Sequence, residues 1–221
     1  MKIEKMVRAE LLDSNTYIFE TQNGVILIEA GIEPAVLKKQ LNGRKVLAVL
    51  LTHAHYDHCF HVDQYIKEFA CPVFLHKNGV AQMYGKVNNY SEGHWLVKSP
   101  ESAFTFLEGN GQIDIWGTEV KFYSTPGHSH SCMCFLLGGA LFAGDLLFRS
   151  GVGRTDLETS NKKALLQSLK LVETLKFDVL YSGHGEESNF ERQSQNISVF
   201  IKFLSRYHPV TFENYQLIIK N

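Results

Sequence analysis

Apolar residues along this chain fall into two kinds of stretch, which predict two kinds of element. Short, nearly continuous apolar runs at residues 25–28, 46–51 and 72–76 are typical of buried strands. The longer stretch at residues 58–69 carries apolar positions at helical spacing, and a helix over residues 34–41 is predicted because Pro34 suits its first turn and Gly43 its end. Because strands and helices alternate along the first part of the chain, we predict an α/β arrangement there.

The beginning and the second half of the chain are predicted to be richer in strands. Alternating apolar positions over residues 7–20 lead through a Gln-Asn-Gly turn into the run at residues 25–28, which predicts antiparallel pairs. Helical spacing predicts one helix over residues 160–175, capped by residue 160 or 161, and a final helix over residues 190–207. Further strands are predicted at residues 111–116, 119–124, 132–137, 140–143 and 179–181.

Residues 77–108 form the least regular part of the pattern, with aromatic residues scattered among glycine, asparagine and serine. Two interpretations stay open. The stretch is either a short helix plus a loop that overhangs a functional site, or a surface excursion whose aromatic rings pack onto the domain. Since no low-complexity linker or short repeat interrupts the chain, we predict a single domain over residues 1–221.

One stretch stands out chemically, because three histidines and an aspartate follow the buried run at residues 46–51 directly. Its sequence is Thr52-His53-Ala54-His55-Tyr56-Asp57-His58. Residues two apart on an extended chain project to the same side, so His53 and His55 can bind one ion together. Asp57 and His58 lie at the turn into the next helix, where they can bind that ion or a second one beside it. Imidazole and carboxylate are ligands of catalytic zinc and of non-haem iron or manganese.

Three later residues share the context of this motif, a strand end followed by a glycine-containing turn. They are His128, Asp145 and His184. The combined set suffices for two ions, and two divalent ions about 3.5–4 Å apart can share a hydroxide at neutral pH and polarise a carbonyl. The predicted ligands are His53, His55 and His128 for one ion, Asp57, His58 and His184 for the other, and Asp145 between the two.

The order of these motifs resembles that of the metallo-β-lactamase superfamily: His-x-His-x-Asp-His, then Pro-Gly-His, Gly-Asp and Gly-His. The similarity extends from Asn15 to about Asn196. It implies an α/β fold of the four-layer αββα sandwich type, with the metal site at one edge of the two sheets. It also implies two divalent metal ions, with zinc preferred and iron or manganese as alternatives.

Residues 144–156 are similar to the glyoxalase II and persulfide dioxygenase branch of that superfamily, and Glu191-Arg192 with Asn196 resembles the last helix of small glyoxalase II-like hydrolases. This similarity implies cleavage of a thioester of the hydroxyacylglutathione type by a metal-bound hydroxide that Asp57 orients. The alternatives are a mononuclear iron persulfide dioxygenase, a lactonase, and, outside catalysis, a domain with a structural zinc. Seven candidate ligands exceed the closed four-ligand set of a structural zinc.

Several positions differ from the superfamily pattern. Glu29 stands where an aspartate usually braces the metal loop, and His130 is expected to add an imidazole near the metals. Arg154 matches a basic position that helps to hold glutathione, so we predict that it binds a substrate carboxylate. A purely structural pairing of Arg154 with Asp156 is the alternative.

Composition narrows the class of partner. The formal net charge is −1 with 20% charged residues, which gives no reason to expect nucleic acid or an anionic membrane as partner. The charged first ten residues contain no apolar signal core, so we expect a cytoplasmic enzyme acting on a small-molecule thioester, in an oligomeric state left open. The four cysteines are predicted to be reduced, and Cys132-x-Cys134 is assigned to strand packing rather than to a soft metal.

Overall fold

The structure is a computed structural model that describes residues 2–8, 14–91, 93 and 95–206. Its first sheet has six strands in the spatial order in which they occur along the chain. They are β1 (Lys2–Arg8), β2 (Asn15–Glu20), β3 (Val25–Ile28), β4 (Val46–Leu50), β5 (Val73–His76) and β6 (Phe104–Leu107). The first three strands pair antiparallel, as the sequence predicts for β2 and β3, and β3 to β6 pair parallel.

A second six-stranded sheet has the order β14-β13-β10-β9-β8-β7, and a separate two-stranded ribbon joins β11 to β12. The strands of this half are β7 (Gly111–Ile115), β8 (Thr118–Ser124), β9 (Met133–Leu137), β10 (Ala140–Gly144), β11 (Leu147–Phe148), β12 (Gly151–Val152), β13 (Val179–Ser182) and β14 (Ser188–Asn189). Only β10 and β13 pair parallel in this sheet. Among the described residues, the helices are α1 (Pro34–Leu41), α2 (Tyr56–Cys59), α3 (Val62–Phe69), α4 (Gly79–Met83), α5 (Lys162–Glu173) and α6 (Phe190–Arg206).

Three buried apolar clusters separate four layers. Strand β3 shows the principle, since Leu27 packs under α1 and α3 while Ile26 and Ile28 point into the gap between the sheets. On the far side, Leu165 and Leu169 of α5 pack with α6 against the second sheet. The predicted four-layer αββα sandwich is therefore confirmed.

The predicted helix over residues 58–69 is divided into α2 and α3. At the division, the backbone N–H of His61 donates to Ala30 O (2.9 Å) and the carbonyl of Asp57 accepts from the Ser14 hydroxyl (2.8 Å). An unbroken helix would pair His61 N–H with Asp57 O, so these long-range bonds replace one helical hydrogen bond. The break leaves Asp57 and His58 on a short turn whose orientation depends on neighbouring strands.

The remaining predicted elements can be compared with the structure directly. The short helix expected within residues 77–108 is α4, but β6 in the same stretch was missed. Asn161 caps α5 through its side-chain oxygen, which accepts from Ala164 N at 3.0 Å. Residues 9–13 of the predicted first hairpin, and residue 207 of the last helix, lie outside the described residues. No helix within the described part of the chain is long and apolar enough to cross a bilayer.

Candidate metal centre

The predicted ligands come from loops that leave the strands at one edge of both sheets. The first motif follows β4 of the first sheet, whereas His128, Asp145 and His184 follow β8, β10 and β13 of the second. The carboxyl ends of β4, β10 and β13 meet at this edge, which is where polar groups on loops converge in open α/β sheets. The structure brings all seven predicted ligands together here.

A group of three histidines forms one half of the site. Atoms of His53, His55 and His128 that can bind a metal all lie within 4.8 Å of one another. His55 Nδ1 and His128 Nε2 face each other at 3.0 Å, and both residues are buried. The outer nitrogens of two of the rings have partners, because His53 Nδ1 lies 3.1 Å from Thr52 Oγ1 and His128 Nδ1 lies 3.2 Å from Arg154 O. Such contacts fix the orientation of an imidazole ring whose other nitrogen would bind a metal. We call this set the histidine group.

A second set contains Asp57, His58 and His184, whose ligand atoms also lie within 4.8 Å of one another. Asp57 Oδ2 is 3.3 Å from His58 Nε2 and 3.3 Å from His184 Nε2. Asp145 lies between this mixed group and the histidine group, since its two carboxylate oxygens are 3.4 Å from His58 Nε2, 3.4 Å from His128 Nε2 and 3.5 Å from His184 Nε2. A third set, Glu29, His53 and His58, also has ligand atoms within 4.8 Å of one another, so the division of the ligands between two ions stays a prediction.

The electrostatics of the histidine group favour neutral imidazoles. Burial lowers the pKa of His53 well below its ordinary value, and the other histidines lower it further. Burial and the nearby His128 lower the pKa of His55 to about 3. Burial also lowers the pKa of His128, despite the opposing effect of Asp145. All three rings therefore keep nitrogen lone pairs at neutral pH, as metal ligation requires.

The mixed group is different. Burial alone would raise the pKa of Asp57, but His58 and His184 together lower it well below its usual range. Burial alone would lower the pKa of His184, but Asp145 and Asp57 raise it to about 10. The pKa of His58 is likewise raised, because Asp57, Asp145 and Glu29 outweigh its burial. Without a metal, the imidazoles of His58 and His184 therefore hold their protons beside the carboxylates of Asp57 and Asp145.

These residues fit divalent ions. His53 Nε2, His58 Nε2 and Asp145 Oδ1 are buried atoms without a hydrogen-bond partner among the described residues. Such groups cost free energy unless something satisfies them, and one ion in each group would satisfy them together. A donor set of imidazole and carboxylate suits zinc, iron and manganese.

Glu29 braces the loop of the first motif although it replaces the expected aspartate. Its backbone is left-handed (φ 70°) and its side chain is almost fully buried. The carboxylate accepts from Thr52 N at 3.1 Å and from the Thr52 hydroxyl, and it lies 3.2 Å from His58 Nδ1. The longer side chain therefore contacts both ends of the motif.

The prediction for His130 is corrected by the structure. His130 joins neither ligand group and instead lines a separate cavity with Lys77 and Phe106. It lies near His76, and both burial and the nearby His130 lower the pKa of His76. The turn that carries His130 is fixed by its neighbours, since the buried Ser129 hydroxyl donates to Gln82 Oε1 at 3.0 Å and the His130 carbonyl accepts from the Asn78 side chain at 3.2 Å. The cysteines behave as predicted.

Cys132 and Cys134 are buried, reduced and absent from the candidate ion sites found among the described residues. The Cys132 sulfur accepts from Ser129 N at 3.3 Å, and the Cys134 sulfur lies 3.4 Å from the Thr125 hydroxyl. These contacts belong to strand packing and to the turn before β9 rather than to a metal.

Two features lie at the rim of the histidine group. Tyr90, from the irregular stretch, packs edge-on against His55 with ring centroids 4.8 Å apart, and its hydroxyl accepts from Glu158 N at 2.8 Å. The loop therefore overhangs the site, and Tyr90 is a contact that the pattern alone did not single out. The Arg154 guanidinium makes two hydrogen bonds to Asp156, at 2.7 and 2.6 Å, and both side chains are largely exposed.

Comparison with known proteins agrees with this geometry. A family model described as the metallo-beta-lactamase superfamily matches residues 9–184. The relative named "Probable metallo-hydrolase YqgX" from Bacillus subtilis (strain 168) is 31% identical over 195 residues, covering 84% of this chain and 92% of the relative.

Solved structures give the same result. TTHA1623 in a di-iron-bound form is 32% identical with a TM-score of 0.75, covering 87% of this chain and 98% of that one. BLEG-1 B3 metallo-beta-lactamase has a TM-score of 0.81 at 25% identity, covering 89% of this chain and 98% of that one. This chain belongs to the metallo-beta-lactamase superfamily.

Proposed function

We propose that this protein is a metal-dependent hydrolase that cleaves a thioester of the hydroxyacylglutathione type at a site for two divalent ions, with zinc preferred. The observation that carries the proposal is the pair of three-residue ligand groups joined by Asp145. Further support comes from a relative whose name describes a metallo-hydrolase, and from the similar protein solved in a di-iron-bound form. The second of these keeps iron as an alternative metal.

The chemistry assigned to the chain's own residues is limited. Two divalent ions in such a site activate water as a nucleophile at neutral pH and polarise a carbonyl oxygen. Asp57 is proposed to orient the attacking water, because its carboxylate stands in the mixed group at the less buried side of the site. A departing thiolate is a weak base, so this reaction needs little protonation of the leaving group from the protein.

Arg154 is proposed to bind a carboxylate of the substrate. Its guanidinium lies at the rim, where its side chain is 64% exposed, while its backbone carbonyl contacts His128. The ion pair with Asp156 is equally exposed, and exposed pairs contribute at most about 1 kcal/mol. A substrate carboxylate can therefore displace Asp156 at small cost. We further propose that the protein works in the cytoplasm as a single domain on a small molecule, without nucleic acid or membrane as partner.

The experiment that tests the function is hydrolysis of a thioester panel by protein of known metal content. S-lactoylglutathione and thioesters of smaller thiols should be cleaved, and a chelator should abolish cleavage until zinc, iron or manganese is returned. Metal analysis of protein purified without added metal should give close to two ions per chain. Inactivity on the whole panel with both sites loaded would contradict the thioester proposal.

A further inference from the structure

Strand β2 of the first sheet reaches across the gap to the turn that carries His184 in the second sheet. The backbone N–H of Asn15 donates to Gly183 O at 2.7 Å. The side-chain amide nitrogen of Asn15 lies 3.1 Å from Ser182 O and 3.0 Å from Gly185 O. Three carbonyl groups of the turn, on both sides of His184, are therefore tied to one residue.

Tyr17, two residues further along the same face of β2, adds a further bond to this turn. Its hydroxyl donates to Ser182 O and accepts from the Asn15 amide at 3.0 Å. Both side chains are at most 1% exposed. Burial raises the pKa of the Tyr17 hydroxyl well above its ordinary value, so it keeps its proton and remains a donor.

The same segment also contacts the other loop of the mixed group. The Ser14 hydroxyl donates to the backbone carbonyl of Asp57 at 2.8 Å. Asp57 and His184 reach the site from different sheets, and Ser14, Asn15 and Tyr17 connect both of their loops. In the histidine group, the outer nitrogens of His53 and His128 have other partners, Thr52 Oγ1 and Arg154 O.

The His184 turn has little room to move without disturbing the ligands. A Cβ atom on Gly183 would come within 2.2 Å of Asp145 Oδ1 and 2.6 Å of His58 Cε1. The backbone of the turn thus packs directly on two candidate ligands, and only glycine fits there. Where β2 holds this backbone decides how far His184 Nε2 stands from Asp57 and Asp145.

We propose that Ser14, Asn15 and Tyr17 are positioning residues for the second ion, which assemble the mixed group across the gap between the sheets and leave the histidine group unaffected. The inference rests on the proposed two-ion centre. It assigns these buried polar residues a role in metal affinity beyond their contribution to stability. Contacts that orient metal ligands typically change metal affinity by about 10–100-fold.

The decisive variant is Tyr17→Phe, with Tyr181→Phe as its matched control. Tyr181 lies beside Tyr17, with ring centroids 5.2 Å apart, and loses the same hydroxyl without touching the bonds described above. Metal-free wild type and both variants are titrated with Zn²⁺ by calorimetry. We expect Tyr17→Phe to weaken the second binding event about 10–100-fold and to leave the first unchanged. Tyr181→Phe should match the wild type in both events.

Two further variants separate positioning from folding. Ser14→Ala removes only the bond to the Asp57 loop and should also weaken the second event, whereas Asn15→Ala should weaken it most. The unfolding temperature of each metal-free protein reports on stability, and Tyr17→Phe decides the matter if Asn15→Ala does not fold. Equal loss of both binding events, or no loss of the second in a folded Tyr17→Phe protein, would overturn the inference. A wild type that binds one ion would contradict the two-ion proposal as well.

Discussion

The histidine group and the mixed group are neighbours that share Asp145, yet they are prepared for metal in opposite ways. His53, His55 and His128 are buried and lack protons at neutral pH, so an ion meets free lone pairs. His58 and His184 hold protons against the two aspartates, so an ion must displace them. The comparison teaches that similar residues in one site can differ in affinity because of the charges around them.

The groups also differ in how they are assembled. His53 and His55 of the histidine group lie two residues apart on one loop. The groups that contact its outer nitrogens, Thr52 Oγ1 and Arg154 O, lie beside the site itself. The mixed group takes Asp57 from the first sheet and His184 from the second, with β2 connecting the two loops. The geometry of both groups depends on how the sheets pack, because His128 and His184 both follow strands of the second sheet, but β2 bonds to the loops of the mixed group.

Removing one member of the mixed group gives the largest expected effect. His184→Ala should bind close to one ion fewer per chain than the wild type and lose about 10²–10³ in kcat on a thioester, since a transition-state contact is lost. His61→Ala is the control, because His61 lies outside both groups and bonds to Gln64. Metal analysis and steady-state kinetics measure the two outcomes.

The same variant discriminates against the iron dioxygenase alternative. If the wild type holds a single iron and His184→Ala still consumes oxygen with a persulfide substrate, the hydrolase proposal fails and the dioxygenase is favoured. Retention of both ions with full thioesterase activity would show that His184 is not a ligand.

Proton competition gives the next largest effect. The pKa of His184 is raised to about 10 in the metal-free protein, so the ring is charged at pH 7 and must lose its proton when an ion binds. Affinity for the second ion should therefore fall about tenfold per displaced proton for each pH unit between 8 and 6. The pKa of His55 is lowered to about 3, so affinity for the first ion should change little over the same range.

Calorimetric titration with Zn²⁺ in two buffers of different ionisation enthalpy checks this contrast, because it counts the protons released in each event. Equal proton release by both events would remove the distinction between the two groups. Titration of Zn²⁺ into Chelex-treated buffer without protein serves as the blank, because hydrated zinc releases protons on its own.

The smallest expected effect concerns the rim. Arg154→Ala keeps the backbone carbonyl that contacts His128, so both ions should still bind. If the guanidinium holds a substrate carboxylate, KM should rise about two- to fivefold with kcat nearly unchanged, as expected for an exposed contact present in both substrate and transition-state complexes. Arg149→Ala is the matched control, since Arg149 pairs with Glu186. An unchanged KM would make the pairing of Arg154 with Asp156 structural.

Much of the fold followed from pattern. The runs that became β3 and β4 are apolar on both faces because each strand lies between α-helices and the other sheet, and this leaves a continuous apolar run in the sequence. Strand β6 was missed because its short Phe-Thr-Phe-Leu alternation follows a long irregular stretch. So short a pattern becomes a strand because it pairs with a neighbouring strand, here β5.

The sequence by itself determined which residues can bind metal, because the spacing of His53, His55, Asp57 and His58 after a buried strand is a local property of the backbone. The tertiary structure alone decided how they are used. It turned His130 away, laid Tyr90 over His55, and divided the helix after the motif. Protonation and loop position depend on groups more than a hundred residues apart, such as Asn15 and the His184 turn, and such contacts arise only when the two sheets pack together.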